Sequence, residues 1–250
     1  MTSADHILQG DRRALARAAT EIENGEAAFL LHELSIHPGH ALIIGLTGPP
    51  GAGKSTLCDQ LIRTLRAENK TVAVIAIDPS SPFTGGALLG DRIRMQQHHA
   101  DPGVFIRSMA ARGFPGGLAR ATRDVVTLFD AAGFDVVIIE TVGVGQSEIE
   151  IARLAHVTVV VLVPGAGDDV QSIKAGIMEI AQVFAINKAD LPGADTLANH
   201  LHTATADDPT PPEIVKVVAL EGKGIDDLLA AIRRSPARPF ASLSEKVADE

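Results

Sequence analysis

Lys54 and Ser55 close a run of small residues, Gly48-Pro49-Pro50-Gly51-Ala52-Gly53, with Thr56 directly behind them. Glycines at these spacings let backbone N–H groups turn toward one point. A lysine and a hydroxyl at a helix start add the cation and the oxygen that a nucleoside triphosphate and its Mg²⁺ require. Residues 48–56 are therefore expected to bind phosphate, with Lys54 as the catalytic cation at the β- and γ-phosphates and Ser55 as a Mg²⁺ ligand.

Three carboxylates fit the same chemistry. Glu140 ends the apolar run Val136-Val137-Ile138-Ile139 and precedes Thr141-Val142-Gly143. At the C-terminal end of a buried strand it would face the phosphate crevice, as a catalytic acidic group holding Mg²⁺ directly or through water. The Gly143 backbone N–H is expected at the γ-phosphate. Asp78 also ends an apolar run and is assigned to the metal. Asp91 comes after a glycine-containing loop and carries two readings, a mobile catalytic and metal-proximal residue or an ordinary helix cap.

Asn187-Lys188-Ala189-Asp190 comes directly after the apolar run 183–186. A carboxylate such as Asp190 accepts two hydrogen bonds from the N1–H and exocyclic amine of guanine, a pattern that adenine lacks. Lys188 would lay its alkyl stem over the base, Asn187 would brace the loop, and Ala219 would offer a backbone N–H. GTP or GDP is the expected nucleotide. Other residues promise less. His98 and His99 read as a solvated pair, Cys58 as a buried helix residue, and Arg92, Arg94, Arg107 and Arg112 as facing solvent or a partner.

The elements that must carry these groups alternate. Apolar runs at 41–46, 72–77, 136–139, 157–163, 183–186 and 214–218 read as strands, and the first four are continuous enough to be buried on both faces. Helical spacing fills 57–65, 118–129 and the stretch marked by Ile225, Leu228, Leu229 and Ile232. The fold class implied is α/β, an open, doubly wound and mostly parallel sheet. Leu15, Ala18, Ile22, Phe29 and Leu30 mark a helical preface. The expected division is a helical extension at 1–38, a nucleotide-binding domain at 39–234 and a tail at 235–250 with little periodicity.

Composition narrows the partners. The chain has 250 residues, 46% of them hydrophobic, and a formal net charge of −9, which suits one substantial core and disfavours nucleic acid as a partner. A single cysteine leaves no disulfide within the chain and fits a reducing cytoplasm. The first ten residues lack the apolar run of a secretory signal, so no membrane association is expected.

Taken together, these motifs resemble the MeaB/ArgK/MMAA-type methylmalonyl-CoA mutase-associated GTPases, a SIMIBI-class branch of the P-loop NTPases. The resemblance is carried by residues 48–55, by Asp78-Pro79-Ser80-Ser81-Pro82-Phe83-Thr84-Gly85-Gly86 with Gly90-Asp91-Arg92, by Glu140-Thr141-Val142-Gly143-Val144-Gly145-Gln146, by 164–174 and by 187–190. It implies a GTPase, slow without its partner, that acts as chaperone to an adenosylcobalamin-dependent acyl-CoA mutase. The chaperone would gate cofactor loading, in company with an adenosyltransferase, and protect the mutase. It also implies three switches, near 78–91, 143–153 and 164–174. The family's homodimer rests on a helical C-terminal arm of which only 235–250 stands here, and this weighs against that assembly. Three other readings remain open: an ATP-using kinase or transport-associated ATPase, a nickel metallochaperone GTPase, and a nucleotide-dependent regulatory binding module.

Overall fold

The computed structural model describes residues 2–78, 98, 100–110, 118–141, 154–165 and 175–239. Seven strands form one sheet: β1 (Leu42–Thr47), β2 (Val72–Asp78), β3 (Val104–Ala110), β4 (Val136–Glu140), β5 (Val157–Leu162), β6 (Val183–Ile186) and β7 (Glu213–Lys216). Their order is β3-β2-β4-β1-β5-β6-β7, and every pairing is parallel. Strands with both faces covered must be apolar throughout, which is why β4 and β5 are buried along their whole length.

Helices α1 (Ala4–Leu8), α2 (Arg12–Glu23) and α3 (Ala28–Ser35) pack with α5 (Leu118–Ala131) on one sheet face, around Ile43, Ile75 and Val137. Helices α4 (Lys54–Ala67) and α8 (Ile225–Arg234) cover the other, around Ile44, Val74 and Val159. The short α6 (Ala175–Ile180) and α7 (Ala194–Ala204) complete the chain order. Leu197 and Leu201 of α7 pack with Phe184 and Ile186 of β6. The sheet is thus doubly wound, as the apolar runs predicted.

Three differences from the sequence expectation have physical causes. β3 was not expected, because Arg107 and Ser108 interrupt its apolar run; as an edge strand it tolerates them. The helical preface is also broken. Gly25 at φ +76° stands just past the end of α2 and resets the helical phase, so that α3 buries Leu30, Leu31 and Leu34 and leaves Phe29 68% exposed. Arg107, expected to face solvent or a partner, bonds Glu23 Oε1 at 2.6 Å and Thr20 Oγ1 at 3.2 Å, which ties α2 to the edge strand.

His98 departs from expectation too. It is buried, with Nε2 2.6 Å from Asp59 Oδ1 on the phosphate-loop helix α4. Cys58 is a buried residue of α4, as its position predicted. His99, Arg92, Arg94, Arg112 and the tail from 240 lie outside the described residues. No described helix is long and apolar enough to cross a membrane.

Candidate nucleotide site

Strand register brings the expected groups to one edge. Leu46 of β1 pairs with Glu140 of β4, and Ala76 of β2 pairs with Glu140 from the other side. The phosphate loop leaves β1 immediately beyond, and the backbone of Asp78 stands two residues further along β2. All three features open on the C-terminal edge of a parallel sheet, the usual ligand crevice of such folds.

The loop's path requires glycine at two positions. Gly48 has φ +137°, and a Cβ there would lie 2.2 Å from the Val161 carbonyl oxygen of β5. Gly53 has φ +89°, and its Cβ would lie 2.3 Å from the Asn187 side-chain nitrogen. The first contact presses the loop against the sheet and the second presses it against the base-recognition loop. Within the loop, Ala52 N donates to Pro49 O at 3.2 Å. Pro50 and the exposed Gly51 form its outer turn, and Thr56 lies exposed on the first turn of α4.

Lys54 is 6% exposed, and its Nζ donates to Gly48 O at 2.8 Å and Pro49 O at 3.1 Å. Those carbonyl bonds hold a desolvated ammonium in the loop's mouth, where an incoming phosphate would meet it with little reorganisation. Ser55 Oγ donates to Glu140 Oε1 at 2.5 Å. Glu140 is 4% exposed.

A hydroxyl and a buried carboxylate converging beside a phosphate cradle are hard oxygen donors of the kind Mg²⁺ takes, so the residues present fit that ion. The ion would reinforce the charge of Lys54 on the phosphates. Asp78 contributes its backbone position to this description. Asp91 and Gly143, and the switch segments 79–91, 143–153 and 166–174, lie outside the described residues.

The base side is organised by Asn187, which is buried. Its Nδ2 donates to Ala52 O of the phosphate loop at 2.8 Å. Its Oδ1 accepts from Lys188 N at 2.8 Å and Ala219 N at 3.0 Å. One carboxamide therefore fastens together the phosphate loop, its own loop and the loop after β7. Ala219, expected to present its N–H to guanine, uses it on Asn187 and serves the site as a brace. Lys188 adopts φ +55° and its Nζ donates to Gly51 O at 3.1 Å, which swings its stem across the mouth of the cleft. Asp190 is exposed at the same loop.

The turn that follows β7, with Leu220 and Lys223, escaped the sequence reading. Val218 and Lys223 exchange backbone hydrogen bonds at 3.0 and 3.2 Å, closing a short turn that carries Leu220 at 86% exposure beside the Asn187 brace. Lys223 keeps its charge above the usual lysine range, chiefly through Glu221 and more weakly through the charge of Asp190. The sequence signal was there, a Gly-Lys-Gly after a strand, but it lacks a chemistry of its own.

A doubly wound parallel sheet with this phosphate loop, a lysine in its mouth and an Asn-Lys-Ala-Asp base loop defines a P-loop GTPase. The chain belongs to the MeaB family: the model described as "Methylmalonyl Co-A mutase-associated GTPase MeaB" matches residues 15–241. A protein of Pyrococcus horikoshii named as a GTPase is 51% identical over 98% of this chain and 80% of its own length. GTPase ArgK of Escherichia coli is 40% identical over 92% of this chain and 74% of its own. A solved structure described as LAO/AO transport system kinase superposes with TM-score 0.73 at 34% identity, covering 92% of this chain and 72% of that one. The chain is accordingly a GTP-hydrolysing enzyme.

Proposed function

We propose that this GTPase is the nucleotide-driven chaperone of an adenosylcobalamin-dependent acyl-CoA mutase, gating cofactor loading and protecting the mutase. The observation that carries this reading is the match of residues 15–241 to a family described by its association with methylmalonyl-CoA mutase. The site supports a switch, because Asn187 links base and phosphate loops through one side chain. A change at the phosphates is thereby transmitted to the base loop and the turn that carries Leu220.

In the proposed chemistry Lys54 neutralises charge that develops on the transferred phosphoryl group. Ser55, Glu140, Asp78 and Asp91 would hold Mg²⁺, which supplies further charge neutralisation when bound. Asp190 selects guanine, Lys188 covers the base, and Gly143 meets the γ-phosphate. Among the described residues, the cations hydrogen-bonded to the phosphate loop are Lys54 and Lys188. Turnover by the isolated chain is therefore proposed to be slow, with the partner accelerating it.

Purified protein mixed with methylmalonyl-CoA mutase tests the reading. A complex whose stability differs between GDP and a non-hydrolysable GTP analogue is the expected result. Failure of this mutase and its isobutyryl-CoA and 2-hydroxyisobutyryl-CoA counterparts to bind in either nucleotide state would overturn it.

A further inference from the structure

The sheet has an open edge at β7, which among the described strands pairs with β6 alone. Glu213 N donates to Gln182 O at 3.1 Å and Val217 N to Ile186 O at 2.9 Å, so the odd-numbered residues of β7 turn their backbone groups toward β6. The even-numbered residues turn theirs outward. Lys216 O is directed at Gly224, where a Cβ would lie 2.3 Å from it. The N–H and C=O of Ile214 and the N–H of Lys216 have no hydrogen-bond partner among the described residues.

β7 lies at the floor of a trench. One stripe of α7 and one of α8 line it together with the strand, and the cavity they enclose is about 570 Å³, within the roughly 300–1,000 Å³ of sites that bury a ligand. Ala198 on α7 and Ala230 on α8 are the small side chains of the two walls, and they leave room for a second backbone beside Ile214.

Charge is polarised along the trench. Asp195, in the first turn of α7, ion-pairs with Lys216. α8 begins beside Lys216 at Gly224, which puts Asp227 of its first turn at the same end. Asp227 has no ion pair among the described residues. At the other end Arg234 holds Glu213 by two hydrogen bonds, at 3.2 and 2.6 Å, and His202 lies two turns along α7 from Asp195. Two carboxylates against one lysine leave the Lys216 end with an unmatched negative charge, whereas the Glu213 end is balanced.

We propose that this trench takes an extended segment of a partner protein as an added strand, with a lysine or arginine of that segment meeting Asp227 and short uncharged side chains lying over Ala198 and Ala230. Backbone bonds to Ile214 and Lys216 supply affinity, and the charge at Asp227 fixes which end of the segment lies where. Charged side chains on an edge strand repel indiscriminate pairing. Here they leave pairing to a strand whose charge fits. A second copy of β7 fits worse. In an antiparallel pair, residues with outward groups must oppose one another, so Ile214 would face Ile214 or Lys216 of the copy. No such register sets Glu213 against Lys216, and a parallel copy would continue as an open filament rather than close.

The test uses the full chain, isotope-labelled, and two blocked synthetic pentapeptides, Thr-Val-Thr-Val-Lys and its reverse, which offer the cation at either end of the added strand. The amide resonances of Ile214 and Lys216 are followed by NMR. At least one peptide is expected to shift both, with Kd on the order of 0.1–1 mM. It should bind Asp227→Lys about fivefold more weakly or worse, while GTP turnover of that variant stays unchanged. Absence of binding by both peptides, undiminished binding to the variant, or equal binding when the peptide lysine is replaced by glutamate would overturn the proposal. So would resonances of Ile214 and Lys216 that move on dilution of the protein alone, which would assign the edge to a second copy. Resonances that move in a chain ending at Pro239 would overturn it as well, by assigning the edge to the chain's own end.

Discussion

At the scale of single residues, discrimination and stability rest on different carboxylates. Asp190 is exposed and poised to meet a base, and two charge-assisted hydrogen bonds to guanine amount to about 3 kcal/mol. Asp190→Asn is expected to weaken GTP and GDP binding by roughly 100-fold with little effect on folding, which a fluorescent-nucleotide titration beside a denaturation curve checks. Asp124 on α5 presents the opposite case. It is 7% exposed, its Oδ1 accepts no hydrogen bond, and burial pushes its carboxyl above the usual carboxylate range despite Arg120 and Arg123 nearby. An acid with a raised folded pKa is destabilising wherever it is ionised. Asp124→Asn should therefore raise stability at pH 7 by about 1 kcal/mol, an advantage that vanishes once the carboxyl is protonated at low pH. Equal stability of the two proteins at pH 7 would refute this.

At the scale of elements, the two nucleotide loops behave as one unit. Gly53 opens α4 at positive φ, and its missing side chain makes room for the Asn187 amide. Gly53→Ala adds strain of about 1–3 kcal/mol and displaces Asn187, so nucleotide affinity should fall about tenfold or more. An alanine variant with unchanged affinity would show that the loops are independent.

The same elements show what the sequence disclosed and why. β1, β2, β4, β5 and β6 were legible because burial on both faces demands uninterrupted apolar runs. The phosphate and base loops were legible because their chemistry fixes both residue type and spacing. β3 was hidden by Arg107, whose partner Glu23 lies on a distant helix. α7 was hidden because its core side is made of small residues and two leucines, Ala194, Leu197, Ala198 and Leu201, in a segment otherwise rich in polar residues. His98 read as solvated because no sequence rule pairs it with Asp59. The tie between Ala219 and Asn187 was also invisible, since it depends on β6 and β7 being neighbours.

At the scale of the whole molecule, His156 joins β1, β5 and the departing C-terminal chain. Burial lowers its pKa from the ordinary 6.5, and its Nδ1 must be unprotonated to accept from Ile43 N. Because the folded value is depressed, the stability it contributes is complete above pH 6.5 and is lost as pH falls through the lower folded value. Denaturant midpoints measured downward from pH 8 should decline below pH 6.5, and His156→Gln should flatten that decline. An unchanged slope in the variant would assign the acid sensitivity elsewhere.

Among the described residues, the phosphate loop leaves the C-terminal end of β1, whereas the His156 junction bonds Ile43 near its start. In the proposed role a guanine-selective GTPase reports its state to a mutase. Phosphate release by the purified chain with Mg²⁺, measured with GTP and with ATP, without and with methylmalonyl-CoA mutase, tests it most directly. The expected result is hydrolysis of GTP in preference to ATP, slow alone and faster with the mutase. Equal use of ATP, or a GTP rate that no such mutase alters, would contradict it.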